Sequence, residues 1–370
     1  MTGMTRIDSM AHHQVWTNLP GGRRVRLSKF LGVLGSAVAA FTSNGQTHVP
    51  TVLRSPMTSS SNPQFGAAVA CDGDTLVIGA PEMAVGGNLY QGTAHVFRWG
   101  GSAWMHEASL VAQDAGSNDY FGRSISLQGD TLIVGAPGDT IGGSSAQGSA
   151  YIFKRTGVEW QQQAKLLASD GVEGDNFGGV VAISGESAIV GVRLKTIGGK
   201  VSQGAAYVFV RIGSAWSEQT RLTAGDGASG DNFGCSVALF NNTAVVGAMW
   251  DDIGVNVDQG SAYAYVRQGS TWTQVSKLVS PDGATGDSFG TAVAINSEMI
   301  VCGAPLHDRQ SPNNGAAYVY VPDGLFWRYD AKISPSGLSA HAFFGTSLAI
   351  YENEILAGAT GDFVTATNQG

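Results

Sequence analysis

From residue 65 onward the chain is a succession of short runs in which apolar and polar positions alternate or give way to a brief unbroken apolar stretch. The segment from Phe121 to Leu127 alternates, as a strand with one covered face does. Thr131 to Ala136 is nearly continuous in apolar residues, which predicts a strand covered on both faces. After a loop rich in Gly and Ser, Ser149 to Lys154 alternates again, with Tyr151 and Phe153 on one side, and Trp160 to Ala168 closes the set. Four short strands are therefore expected in this unit, and no stretch within it carries helical periodicity.

The same set recurs along the chain. Phe-Gly stands at Phe65, Phe121, Phe177, Phe233, Phe289 and Phe344, at spacings of 56, 56, 56, 56 and 55 residues. Trp104, Trp160, Trp216, Trp272 and Trp327 each precede the next Phe-Gly by 17 residues. A Gly-Ala-Pro type turn recurs at Gly79, Gly135, Gly191, Gly247, Gly303 and Gly358. Three landmarks in one register define an internal repeat. Four antiparallel strands in a unit of roughly 50 residues predict an all-β protein, a β-propeller with blades starting near each Phe-Gly. A lone blade exposes two apolar faces, so it must pack against its neighbours, and the recurring Phe and Trp are expected between blades.

At these residues a family resemblance becomes visible. Phe233-Gly-Cys-Ser-Val-Ala, then Val245-Val-Gly-Ala, then Gly260-Ser-Ala-Tyr-Ala-Tyr resembles the FG-GAP repeat, the blade motif of integrin α-subunit propellers and of many bacterial surface proteins. The resemblance covers residues 65 to 370 in six Phe-Gly units, the last incomplete. It implies a propeller over 35–370, of six blades or of seven in a longer chain, and an extracellular or cell-surface setting.

The sixth unit stops at Gly370, where its third strand should begin. One reading closes the ring with the N-terminal segment: Gly35-Ser-Ala-Val-Ala-Ala-Phe is similar to Gly260-Ser-Ala-Tyr-Ala-Tyr-Val, and Val49-Pro-Thr-Val-Leu-Arg-Ser-Pro to Val275-Ser-Lys-Leu-Val-Ser-Pro. The other reads Arg23-Arg-Val-Arg with the apolar run Phe30 to Phe41 as a secretory signal, ending near 41, in a 1–34 extension. That apolar run is too short to span a membrane.

Composition sharpens this picture. The 52 glycines suit many tight turns, and 43% hydrophobic residues exclude a disordered chain. A net charge of −8 argues against nucleic acid, which needs clustered Lys and Arg. Cys71, Cys235 and Cys302 match neither a disulfide framework nor a zinc pattern and are expected to be small buried strand residues.

Candidate chemistry gathers on one face. In a propeller the loops joining blades share a face with the loops joining second and third strands. The inter-blade loops carry acids seven and two residues before the Phe: Asp114 with Asp119, Asp170 with Asp175, Asp226 with Asp231, and Asp282 with Asp287. The first and last loops have Thr58 with Pro63 and Gly337 with Ala342 instead. The strand 2–3 loops add Asp139, Asp251, Asp252, Asp258 and Asp308 as a ligand-binding face. Hard oxygen ligands on glycine-rich turns suit Ca²⁺; the alternative is that each Asp caps its turn by accepting backbone N–H bonds. The integrin resemblance implies calcium loops between strands 1 and 2, but Gln128-Gly-Asp, Ser184-Gly-Glu, Phe240-Asn-Asn and Tyr351-Glu-Asn are too short for them.

Enzyme signatures are missing. The histidines do not cluster within the repeats, no Gly-x-Ser-x-Gly elbow is present, and no arginine cluster for a carboxylate substrate is evident. Arg155, Arg211 and Arg267 recur on the opposite face and read as solvated hairpin charges. The expectation is a secreted or surface-bound adhesion or ligand-binding module, taking a protein or glycan ligand. The alternative is a propeller accessory to a hydrolase or lyase whose catalytic part lies outside this chain.

Overall fold

A computed structural model describes residues 16–18, 24–27, 36–39, 51–57, 63–308 and 312–361. Among these residues every regular element is a strand. Five sheets of four strands follow one another, each from a single repeat and each connected in simple sequence order. In the second blade the strands are Ser124–Gln128, Thr131–Ala136, Ser149–Thr156 and Glu159–Leu166, all antiparallel. Its second strand is buried at every position, whereas its fourth alternates toward solvent, as the apolar patterning requires. The third and fourth strands shift register at one place in all five blades (Val96/Phe97, Ile152/Phe153, Val208/Phe209, Ala264/Tyr265 and Val319/Tyr320), so each sheet gains its extra twist at the same depth.

The core lies between sheets. Phe177 is completely buried, edge-on to Tyr207 and Phe209 at 5.7 and 5.9 Å, in a cluster that joins Ile133 and Ile152 of blade 2 to Val190 and Val192 of blade 3. Phe121, Phe233, Phe289 and Phe344 are likewise fully buried. The tryptophans lie half-buried further out, and the indole N–H of Trp160, Trp216 and Trp272 reaches Glu107, Gln163 and Gln219 on the preceding blade at 2.9–3.1 Å.

Two glycines set the spacing of neighbouring blades. A Cβ placed on Gly135 would lie 1.9 Å from the carbonyl oxygen of Gly178, and one on Gly247 would lie 2.0 Å from that of Gly290. The Gly of each Gly-Ala-Pro turn therefore presses on the Gly of the next Phe-Gly. At Gly178 the backbone also has φ +91°, which only glycine adopts without strain.

The sixth sheet is completed by the N-terminal segment, though by strands other than those singled out from the sequence. Phe344–Tyr351 and Glu354–Ala359 pair antiparallel, as in any blade, but two N-terminal strands complete the sheet: Arg24–Leu27 lies parallel to Glu354–Ala359, and Trp16–Asn18 pairs with Arg24–Leu27. The segments predicted to close the ring, Ser36–Ala39 and Thr51–Arg54, instead form a separate two-stranded sheet. They pair with each other as blade strands three and four do, but the edge of Glu354–Ala359 that a third strand would take is filled by Arg24–Leu27. Most of the Phe30 to Phe41 run lies outside the described residues. The cysteines also divide: Cys302 is buried as expected, but Cys71 is exposed on its strand.

The glycine contact makes a sharp prediction. Gly247→Ala should destabilise the protein by about 3 kcal/mol or more through overpacking. Gly225→Ala, whose Cβ would meet only the end of the Gln274 side chain at 3.4 Å, should leave the denaturation midpoint nearly unchanged. Equal midpoints for the two variants would refute the spacing role.

Candidate functional site

The inter-blade loops and the strand 2–3 loops do share one face, and they are hydrogen-bonded to each other. Asn176 N–H donates to the Ala146 carbonyl at 3.0 Å and Phe177 N–H to that of Gln147 at 3.0 Å, with equivalents at each blade junction. Both partners are left-handed at every junction: Tyr120 with Tyr90, Asn176 with Ala146, Asn232 with Ser202, Ser288 with Asp258, and Phe343 with Asn313. The fold holds these residues in a conformation that ordinary side chains disfavour.

The acids divide into three structural roles. Those two residues before the Phe are buried and cap their own loop, with Asp119, Asp175, Asp231 and Asp287 accepting the N–H of Gly116, Val172, Ala228 and Ala284 at 2.5–2.8 Å. These bonds run three residues back along the chain. The acids seven before the Phe strap one blade to the next: Asp114, Asp226 and Asp282 accept from Tyr151, Tyr263 and Tyr318 at 2.8–2.9 Å, and from Lys165, Lys277 and Lys332 at 2.6 Å. Asp170 makes the same strap with Tyr207 and Arg221. Asp252 and Asp308 are exposed and cap their loops by accepting the N–H of Asp258 and of Asn313.

Asp139 and Asp251 are buried rather than presented to a ligand. Asp251 accepts from Ser261, Tyr263 and Lys277 at 2.5–2.8 Å, and Asp139 from Ser149, Tyr151 and Lys165 at 2.6–2.9 Å. The equivalent position in blade 3 is Lys195, which pairs with Asp175 at 2.8 Å. In blade 5 it is His307, which lies 2.8 Å from Asp287 and 2.7 Å from Lys332. Where this position is acidic, a serine stands opposite (Ser149, Ser261); where it is basic, an alanine does (Ala205, Ala316). Blade 1 is the uncharged form, with Met83, Thr93, His95 and Ser109, and burial together with His106 lowers the His95 pKa to about 4. Each blade thus satisfies its own buried groups.

This donor set does not fit Ca²⁺. The acids of the inter-blade loops already face an ammonium, a guanidinium, a phenol or a backbone N–H, and a lysine nitrogen stands 2.6–2.8 Å from the carboxylates of both Asp226 and Asp251. Among the described residues no group of three or more His, Cys, Asp or Glu is placed to hold a metal.

The arginines on the opposite face are clasps, not solvated charges. Arg155 bonds to Asp130 at 2.7 Å and reaches Thr75 of blade 1 at 3.1 Å; Arg267 reaches Ser187 of blade 3 at 2.8 Å; Arg211 grips Glu186. Each guanidinium also covers the tryptophan of its own hairpin at 5.3–5.8 Å. Hairpin spacing alone did not reveal that the side chain turns inward across the blade junction.

The sequence reading also missed a cavity of about 620 Å³ among the ends of blades 1 to 4, opening on the loop face. Arg123 and Arg193 both line it, with Tyr120, Asn118, Asn176 and Glu82. The available signal was departure from the repeat: Arg123 stands where other units have Ala67, Gly179, Cys235, Thr291 and Thr346, and Arg193 where Pro81, Pro137 and Pro305 stand.

The sheets and their glycine junctions define a repeat protein built from propeller blades. A family model described as FG-GAP repeat matches residues 59–97, 104–153, 160–209, 216–265 and 272–320. The chain belongs to the FG-GAP repeat family. No curated protein matches it.

Two outcomes follow from the acid geometry. Burial raises the Asp231 pKa, the Ala228 N–H opposes this and the nearby Asp251 charge reinforces it, leaving it at about 6 against an ordinary 3.8. Between those values the folded state keeps a proton that the unfolded chain has lost, so the contribution to stability falls as pH rises from about 4 to about 6. Asp231→Asn preserves the bond from Ala228 and should be more stable than the parent by about 1 kcal/mol above pH 7, with no gain below pH 4. Thermal denaturation at both pH values checks this. Thermal unfolding in chelator and in millimolar Ca²⁺ should superimpose; a site filled at a hundred times its Kd would instead add about 2.7 kcal/mol.

Proposed function

We propose that the protein is a non-catalytic recognition module acting outside the cell or at its surface, an adhesion or ligand-binding propeller whose loop face takes a protein or glycan ligand. The observation that carries this reading is a division of labour on that face. The recurring acids are consumed by caps and straps, whereas large apolar side chains on the same loops are presented to solvent, some at a recurring position (Leu89, Val201, Val257) and some where the repeat is broken. Val255, 93% exposed, replaces the second glycine of the Gly142-Gly143 and Gly198-Gly199 turns. Trp250, Val257, Val201 and Leu89 are also exposed on these loops. Exposed large apolar side chains gathered on one face mark an interaction surface more often than scattered ones do.

The acids and lysines of this face support a binding role over a catalytic one, because the buried ones are spent on one another. Among the described residues no helix is long and apolar enough to cross a membrane.

The test is a loop exchange. Residues 250–258 are replaced by the sequence of 138–146, which is equal in length and register and keeps an aspartate at position 251. Parent and variant are compared on arrays of glycans and extracellular-matrix proteins. We expect the exchanged protein to unfold at the parent's temperature and to lose the parent's ligands. A folded variant with an unchanged binding profile would refute this face.

A further inference from the structure

The cavity among the ends of blades 1 to 4 carries a charge pattern that the fold does not require. The protein is acidic, with a net charge of −8, and its other blade arginines are mostly matched to acids. Arg98 pairs with Asp74, Arg155 with Asp130, Arg211 with Glu186 and Arg221 with Asp170. Arg123 and Arg193 are different. Both are exposed, both line the same cavity, and among the described residues neither has a carboxylate within ion-pair distance. Arg193 donates a single N–H to Asn232 at 3.2 Å, which orients the side chain and leaves most of its donors available. Neither position needs arginine for packing, since the corresponding residues of other blades are small, or are proline, methionine and threonine.

The rest of the lining suits a polyhydroxylated partner. Glu82, which receives the Gln64 amide at 2.6 Å, supplies carboxylate acceptors. Asn118 contributes an amide, and Asn176, whose amide N–H groups are spent on the carbonyls of Pro137 and Ala146, contributes its side-chain oxygen; both stand on a backbone held left-handed. The Tyr120 ring, stacked on Tyr90 at 5.8 Å and 25°, makes a firm aromatic wall at the rim. Between these groups Pro81, Pro137, Ala146 and Val180 give apolar wall against which the faces of sugar rings can lie. A volume of about 620 Å³ lies within the range of small-ligand sites.

We propose that this cavity binds a carboxylated oligosaccharide, with Arg123 and Arg193 taking the carboxylates and Glu82, Asn118 and Asn176 the hydroxyls. The proposal rests on the reading of the loop face as a recognition surface and names the ligand class for this cavity. Guanidinium and carboxylate meet as a planar two-bond pair, and this would set the cavity's preference for acidic over neutral sugars.

The experiment is calorimetric titration of the full chain with trigalacturonate, and with maltotriose, sulfated maltotriose and hexaglutamate as comparisons. We expect trigalacturonate to bind, to weaken at higher salt, and to lose roughly tenfold in affinity in each of Arg123→Gln and Arg193→Gln. The double variant should not bind, while its melting temperature stays that of the parent. Maltotriose should not bind at all. Absence of trigalacturonate binding at millimolar concentration, or undiminished binding by the folded double variant, would overturn the proposal. So would tighter binding of hexaglutamate or of the sulfated sugar. If array ligands are still lost on exchange of the 250–258 loop while trigalacturonate fails, only this inference falls; if both fail, the recognition face falls with it.

Discussion

The close approach of two backbones, glycine against glycine, is the constraint on which the rest of this molecule depends. Where Gly135 meets Gly178, no Cβ can be accommodated, and the second strand of one blade touches the first strand of the next directly. That contact sets the depth at which Phe177 enters the core between the sheets. It also determines which side chains face each other across the junction above and below. Ser124 closes the contact by donating its hydroxyl to the same Gly178 oxygen at 2.8 Å, and Ser236 does so to Gly290 at 2.7 Å.

Polar side chains then secure the junction on both faces. On the loop face Asp–Tyr–Lys straps, with arginine in place of lysine at Asp170, tie four inter-blade loops to the blade that follows. On the opposite face Arg155 and Arg267 reach across to a hydroxyl on a neighbouring blade. Burying charge is unfavourable unless every partner is supplied. The blades meet that condition in more than one way: Asp139 and Asp251 with serine opposite, Lys195 and His307 with alanine opposite, and blade 1 without charge. The exchange of Asp for Lys or His is accompanied by a change at a residue ten positions or so downstream, so the network is conserved as a balance rather than as a residue type.

The sequence made the strands, the blade boundaries and the shared loop face legible because each depends on a local pattern repeated five times. Phe121, Gly135 and Trp160 announce themselves by recurrence. The roles of Asp114 and Asp139 were not legible, since a carboxylate near a turn looks the same whether it awaits a cation or already holds Lys165. Only the register between blades brings that lysine to it. The inward turn of Arg155 and the meeting of Arg123 with Arg193 were hidden for the same reason, because each joins residues from different blades. Which N-terminal strands complete the sixth sheet was not legible, because similarity to a blade strand says nothing about which sheet edge is free to receive it.

Four of the segments matched by the family model begin in the fourth strand of one blade and end in the third strand of the next: residues 104–153 run from Trp104 to the strand holding Tyr151. A hereditary unit cut in this way contains parts of two sheets and one side of each of two seams. Each copy carries one glycine for the junction before it, such as Gly122, and one for the junction after it, such as Gly135, so duplication or unequal crossing-over between copies spaced 56 residues apart would hand on complementary halves of a contact. The seam would survive such events without adaptation, while positions such as Arg123, Arg193 and Val255 stay free to diverge from copy to copy. Conservative inheritance of the joints and rapid change at the mouth are then two results of the same arithmetic.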